Sequence, residues 1–127
     1  MVRKGLLDLG LITDASGNQF RTWWTHGIVH FIGMDVHDVG DTSQPLAPGM
    51  ALAVEPGLYI RPAALDNLPR TPENLSFAEK VKGAVQKYRD IGVRIEDSIL
   101  MTDSGPRRLS ARVPRTIDEI EQVMRTR

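Results

Sequence analysis

The chain has no cysteine. That excludes a disulfide scaffold and any thiolate metal site, and it permits a reducing compartment. It has no net charge either, with 16 basic and 16 acidic residues. No overall field would recruit nucleic acid or an anionic membrane. Arginines thicken toward the C-terminus (Arg107, Arg108, Arg112, Arg115), but no aromatic residues interleave there to stack bases. They read as a solvated face. No apolar run approaches membrane-spanning length. Asp8 interrupts the opening MVRKGLLDLGLI, and no small-residue cleavage site follows it, so it does not read as a leader. Internal repeats and low-complexity segments are missing too. The expectation is a cytoplasmic protein with no nucleic-acid partner and no membrane.

What is present is an ordinary globular composition, 41% hydrophobic and 25% charged over 127 residues. That length supports one domain with a real core, here 1–127. The unusual feature is the histidines. There are three, His26, His30 and His37, and all fall within THGIVHFIGMDVHDVG, Thr25 to Gly40. Imidazole titrates near neutrality and is a common metal ligand when neutral. Scattered core histidines would not cluster in this way.

Around this stretch the pattern is mixed. Val2, Leu6 and Leu9 suggest a short amphipathic helix ending near Gly10. Gly27, Gly33 and Gly40 make the histidine stretch a poor helix, so strand and turn segments are expected there. MALAVEPGLYI, Met50 to Ile60, is an apolar run ended by Pro56-Gly57 and resumed as Leu58-Tyr59-Ile60, and it reads as a buried strand with Met50, Leu52 and Val54 on one face. Ala51, Ala53 and Glu55 share the other, where small side chains leave room in front of the carboxylate. Residues 61–90 form a proline- and charge-rich excursion. Within it Ser76 to Glu79 has capping-box spacing, with Phe77, Val81, Ala84 and Val85 on one helical face. Val93 to Thr102 reads as a second strand, with Arg94, Glu96 and Ser98 on one side. Thr116 to Glu119 is another capping box, opening a closing helix through Ile117, Ile120 and Met124. Helix, strands, excursion, strand, helix predicts an α+β domain with a mixed or antiparallel sheet and flanking helices.

The chemistry has bland competitors. His26 and His30 are four apart, as in helical zinc motifs, but those need a glutamate where Gly27 stands. That reading is rejected. Any one histidine would more often be structural than catalytic; three together shift the balance. Glu55, between Val54 and Pro56, should pair, protonate or bind a cation, because desolvating a lone carboxylate is expensive. Its competing reading is a buried salt bridge or an exposed strand end. Glu96 has an easier one, since Arg94 on the same face could neutralise it. Three imidazoles and two carboxylates in apolar settings make a metal-site hypothesis.

HGIVHFIGMDVHDVG, then PGMALAVEPGLYI, then GVRIED, in this order, resemble the C-terminal half of the catalytic domain of aminopeptidase P. Prolidase, from the same pita-bread (creatinase/aminopeptidase-like) metallopeptidase superfamily, is almost as similar. The resemblance covers nearly the whole chain, least well over 61–90. It implies release of an N-terminal residue preceding proline. It also implies two divalent metals, typically Mn2+, held by two aspartates, a histidine and two glutamates around a nucleophilic water. By motif position His30, Glu55 and Glu96 would be metal ligands, with Glu55 also the general base. His26 and His37 would flank the substrate and stabilise the tetrahedral intermediate, and Arg94 would support the site from behind. The family's two aspartate ligands lie upstream, whereas only Asp8 and Asp14 precede Thr25, in neither motif context. The resemblance therefore implies a truncated catalytic domain, with a missing N-terminal half or a homo-oligomer covering its exposed sheet. The rival expectations are a non-catalytic peptide- or partner-binding module and a prolidase-type dipeptidase.

Overall fold

The computed structural model describes residues 1–126. In chain order its elements are α1 (Val2–Asp8), β1 (Val29–Phe31), β2 (Ala51–Val54), β3 (Gly57–Ile60), α2 (Ala63–Asp66), α3 (Pro72–Lys87), β4 (Ile91–Arg94), β5 (Asp97–Thr102), β6 (Gly105–Arg108) and α4 (Ile117–Arg125). They divide into two compact units. One gathers residues 1–26 and 57–93; the other joins 27–56 to the residues from 94 onward.

The first unit holds the apolar core. Leu6 of α1, Leu11, Ile12, Trp23, Ile60 of β3 and Phe77, Val81 and Val85 of α3 are all buried in one cluster. Fully burying a side chain of this kind stabilises by about 1.5–3 kcal/mol. Trp23 is wholly buried, yet its indole N–H is satisfied, donating to the Leu11 carbonyl at 2.8 Å. Helix α3 starts earlier than Ser76. Thr71 is its N-cap, the side-chain oxygen accepting from the Asn74 amide, and Pro72 occupies the first turn, where its missing N–H costs nothing. Ser76 and Glu79 therefore lie inside the helix. The expected apolar face stands, with Phe77, Val81 and Val85 buried at four-residue intervals. After Tyr88 the chain turns through Asp90, whose φ of 62° is left-handed, and enters β4, the partner of β3 in a two-stranded sheet.

The second unit is built on a four-stranded sheet in the order β1-β2-β5-β6, every pairing antiparallel. Leu52 and Ala53, on opposite faces of central β2, are its buried apolar residues. Pro106 lies in β6, an edge strand, where a lost ladder donor is tolerated. The first apolar run is interrupted beside Pro56-Gly57, as its sequence indicates, and the second strand expected from the sequence is not continuous either. The first breaks at Glu55–Pro56 and the second at Ile95–Glu96, and the breaks face each other, with the Ile95 amide donating to the Pro56 carbonyl at 3.2 Å. Beyond β6 the chain is tied back to β5. Asp97 accepts from Ser110 Oγ at 2.7 Å and pairs with Arg115 and Arg108. The Ser110 hydrogen bond first, and then the arginine charges, hold its carboxyl below the usual carboxylate range. Helix α4 has the complete Thr116–Glu119 capping box but buries no residue. Ile117 and Met124 are largely exposed.

Candidate metal centre

The site is assembled from β1, β2 and the loop between them. His30 pairs with Ala53, and Ala53 in turn with Ser98. Directly opposed residues on antiparallel strands share a face, and the residue two further along is the diagonal neighbour. Glu55 follows Ala53 by two and continues that face past the end of β2, its amide still donating to the Ile28 carbonyl at 2.8 Å. The small Ala53 side chain leaves the space in which imidazole and carboxylate approach. His30 Nε2 lies 3.7 Å from Glu55 Oε1, and both side chains are mostly buried, at 16% and 12% exposure.

His37 arrives by a different device. After Phe31 the chain loops out and returns as an isolated antiparallel bridge between Phe31 and Asp38. The Asp38 carboxylate pins the loop, accepting from the amides of Met34 at 3.0 Å and Val39 at 2.9 Å. Two glycines make room for this. A Cβ on Gly33 would lie 1.8 Å from Asp38 Oδ2, and one on Gly40 would lie 2.0 Å from the Phe31 ring. The return brings the His37 ring to 4.4 Å from that of His30, tilted by 53°. One ligand atom from each of His30, His37 and Glu55 then lies within 4.8 Å of the others.

The hydrogen bonds specify which atoms face that point. His30 Nδ1 is 3.0 Å from the Phe31 carbonyl. A carbonyl only accepts, so Nδ1 carries a proton, and when the ring is neutral its Nε2 lone pair faces Glu55. Glu55 Oε2 accepts from Arg94 at 3.0 Å, which leaves Oε1 facing His30. With that ring neutral, two acceptors face each other at 3.7 Å, a separation that is not a hydrogen bond. Such an arrangement calls for positive charge between them. The donor set suits a divalent cation: two imidazoles and a carboxylate, with one ring oriented through its other nitrogen.

Two other residues expected here are outside that group of three. Glu96 is exposed, in the break between β4 and β5, and is not one of the three grouped residues. His26 belongs to the first unit, where its Nε2 is 3.1 Å from the Tyr59 hydroxyl and its carbonyl accepts from the Trp24 indole at 2.8 Å. Sequence reasoning missed Tyr59, whereas Asp38, expected as a turn residue or one supporting the site from behind, does pin the loop. The signal for Tyr59 was a hydroxyl inside an otherwise apolar run.

Comparison with known proteins gives concordant matches. The profile described as metallopeptidase family M24 matches residues 3–103. Xaa-Pro aminopeptidase of Escherichia coli strain K12 is 40% identical over 129 aligned positions, covering 94% of this chain and 25% of that protein. Human Xaa-Pro dipeptidase is 40% identical over 117 positions, covering 78% of this chain and 23% of that protein. Among solved structures, proline aminopeptidase P II from Yersinia pestis superposes with a TM-score of 0.77 at 37% identity, over 99% of this chain and 27% of that one. The chain thus spans about a quarter of the length of these relatives, and the α+β architecture is that of the corresponding portion of the pita-bread fold.

Proposed function

Because the chain belongs to metallopeptidase family M24, we propose that it carries part of the catalytic domain of a metal-dependent aminopeptidase releasing an N-terminal residue that precedes proline. The observation that carries the reading is the pair of opposed acceptors, His30 Nε2 and Glu55 Oε1, at 3.7 Å. A divalent ion bound there would lower the pKa of water and polarise a scissile carbonyl. In the complete two-ion site we take the metal to be Mn2+ and Glu96 to join His30 and Glu55 as a ligand.

The protein's own residues have separate tasks. Arg94 holds one oxygen of Glu55 and so directs the other toward the reacting water, from which Glu55 takes the proton as general base. His26, fixed by Tyr59, and His37 at the end of its pinned loop are assigned to the substrate, where an imidazole N–H can donate to the oxyanion of the tetrahedral intermediate. No described helix is long and apolar enough to cross a membrane, and with no cysteine to cross-link the chain suits the cytoplasm. For a partner, the exposed Met34, Val36, Val39 and Met124 favour a second copy of the chain or the polypeptide that supplies the upstream half.

The test is hydrolysis by the purified chain, with Mn2+, of a tripeptide with proline in second position. Turnover that disappears in Glu55→Ala supports the reading. Turnover confined to a dipeptide would transfer the chain to the dipeptidase reading, which its likeness to Xaa-Pro dipeptidase favours. Peptide binding without hydrolysis would make it a non-catalytic module.

A further inference from the structure

We propose that Gly57 is a positioning residue for His26: by carrying no side chain it admits the contact through which Tyr59 sets the imidazole. The inference deepens the proposed function, since it rests on His26 as a substrate-facing donor, and it adds what decides where that donor stands.

Glycine within a strand weakens it, and it often marks a place where another group comes close. The sheet of β3 and β4 has two, Gly57 and Gly92. Neither is there for its backbone, since the described glycines with left-handed φ are Gly10, Gly49 and Gly105. Both border Tyr59. A Cβ on Gly92 would lie 3.1 Å from Cδ1 of the Tyr59 ring. One on Gly57, which is buried, would lie 2.6 Å from the Tyr59 hydroxyl and 2.7 Å from His26 Nε2. Gly57 and Tyr59 are two apart on β3 and share a face. The Tyr59 ring therefore leans back along its own strand, and its hydroxyl ends beside the glycine.

What sets Gly57 apart is a triangle. Its missing Cβ, the phenol oxygen and the imidazole nitrogen stand at three nearly equidistant corners, the last two being 3.1 Å apart. A carbon needs about 3.3 Å from an oxygen or nitrogen it is not bonded to, so a methyl there must push each atom back by roughly 0.6–0.7 Å. The main chains cannot follow. The Tyr59 amide donates to the Trp23 carbonyl at 2.9 Å, and the Trp24 indole N–H donates to the His26 carbonyl at 2.8 Å. The retreat falls on the two rings, which swing about separate anchors, and that opens their contact. Both displaced atoms are at the ends of side chains, so the fold can absorb the methyl while the pair is lost. Gly92 has no such effect, because its missing Cβ meets the Tyr59 ring and not His26.

The test is NMR of the metal-free full chain, following the cross-peak between the rings of His26 and Tyr59, whose centroids are 5.6 Å apart. Gly57→Ala should lose that cross-peak and shift the His26 imidazole signals, while the Trp24 indole N–H, held on the His26 carbonyl, stays in place. Gly92→Ala should shift the Tyr59 ring signals and keep the cross-peak. Gly83→Ala, with no atom within 4 Å of its new Cβ, is the control and should change neither. A folded Gly57→Ala chain with the cross-peak intact overturns the inference, and so does one in which the Trp24 signal moves along with His26. Should Gly57→Ala not fold, Gly57→Ala/Tyr59→Phe and Gly57→Ala/His26→Ala each remove one side of the obstruction. Cooperative urea unfolding restored in either supports the inference; its return in neither places the need for Gly57 elsewhere and overturns it. Peptide hydrolysis is read separately. Loss of the cross-peak in Gly57→Ala, with no turnover by wild type, keeps this inference and removes the peptidase reading. Turnover by wild type, with a cross-peak indifferent to Gly57→Ala, does the reverse.

Discussion

Gly33→Ala is the sharpest probe of how the histidine loop is held. The backbone at Gly33 is not left-handed, so alanine is not strained by its φ. The problem is the 1.8 Å between a new Cβ and Asp38 Oδ2. A carbon–oxygen contact needs about 3.3 Å, so the carboxylate must retreat by roughly 1.5 Å, the difference between the two. That breaks the 3.0 Å bond from the Met34 amide. A hydrogen bond to a charged group contributes about 1.5–3 kcal/mol, and solvent access at this loop favours the lower figure. Alanine returns about 0.4–1 kcal/mol by restricting the unfolded chain. The net loss is then about 1 kcal/mol, read as a shift in the urea midpoint at unchanged slope. The decisive measurement is the cycle with Asp38→Ala. Once the carboxylate is gone, Gly33→Ala should become neutral or mildly stabilising. If it costs the same in both backgrounds to within about 0.3 kcal/mol, the two residues are independent and the account of the loop fails.

Trp23→Phe should destabilise the first unit by about 2–4 kcal/mol in urea unfolding, through lost ring volume and a Leu11 carbonyl left without its donor; a loss under about 0.5 kcal/mol would show that Trp23 is not central to that core. Helix α4 should respond to acid through Glu119. Its carboxyl accepts from the amides of Thr116 and Arg115, which brings its pKa from 4.5 down to about 2. The folded value is the lower one, so the cap's contribution is complete above 4.5, declines below it, and is lost as pH falls through about 2. Carboxyl NMR titration should find that midpoint, and Glu119→Gln should remove this dependence of the helix signal on pH. A Glu119 titrating near 4.5 would mean that the capping box is not formed.

Much of this architecture could be read from residue order, because periodicity and capping are local. The buried stripe of α3 and the Thr116 capping box needed only spacing, and the apolar run around Leu52 announced a central strand. The start of α3 was misplaced because two capping signals compete there. Thr71–Pro72 wins, since proline in the first turn both favours the helix and excludes its upstream extension. The site was legible as a residue list but not as a grouping. Bringing His37 beside His30 depends on the Phe31–Asp38 bridge, a contact between residues seven apart that carries no periodic signature. Glu96 looked like a strand residue sharing a face with Arg94 and Ser98. The break at Ile95–Glu96 removes it from the ladder, and nothing in its flanking apolar residues signals that break.

The division of the chain into two interleaved units bears on how it is made. Neither unit is contiguous: the chain leaves the first after residue 26, returns at 57, and leaves again after 93. On the ribosome α1 and Trp23 therefore emerge long before α3, which supplies much of their core. Residues 27–56 must be looped out meanwhile, an entropic cost that rises only slowly with loop length. The candidate metal site faces the same delay, since His30, His37 and Glu55 are all synthesised well before β5 arrives to flank β2. No single proteolytic cut can release either unit whole. Domain-by-domain expression, the usual shortcut for dissecting an enzyme, is closed to this chain, and circular permutation does not reopen it: the segments of the two units alternate along the chain, so joining the ends and cutting at any boundary still leaves both units split.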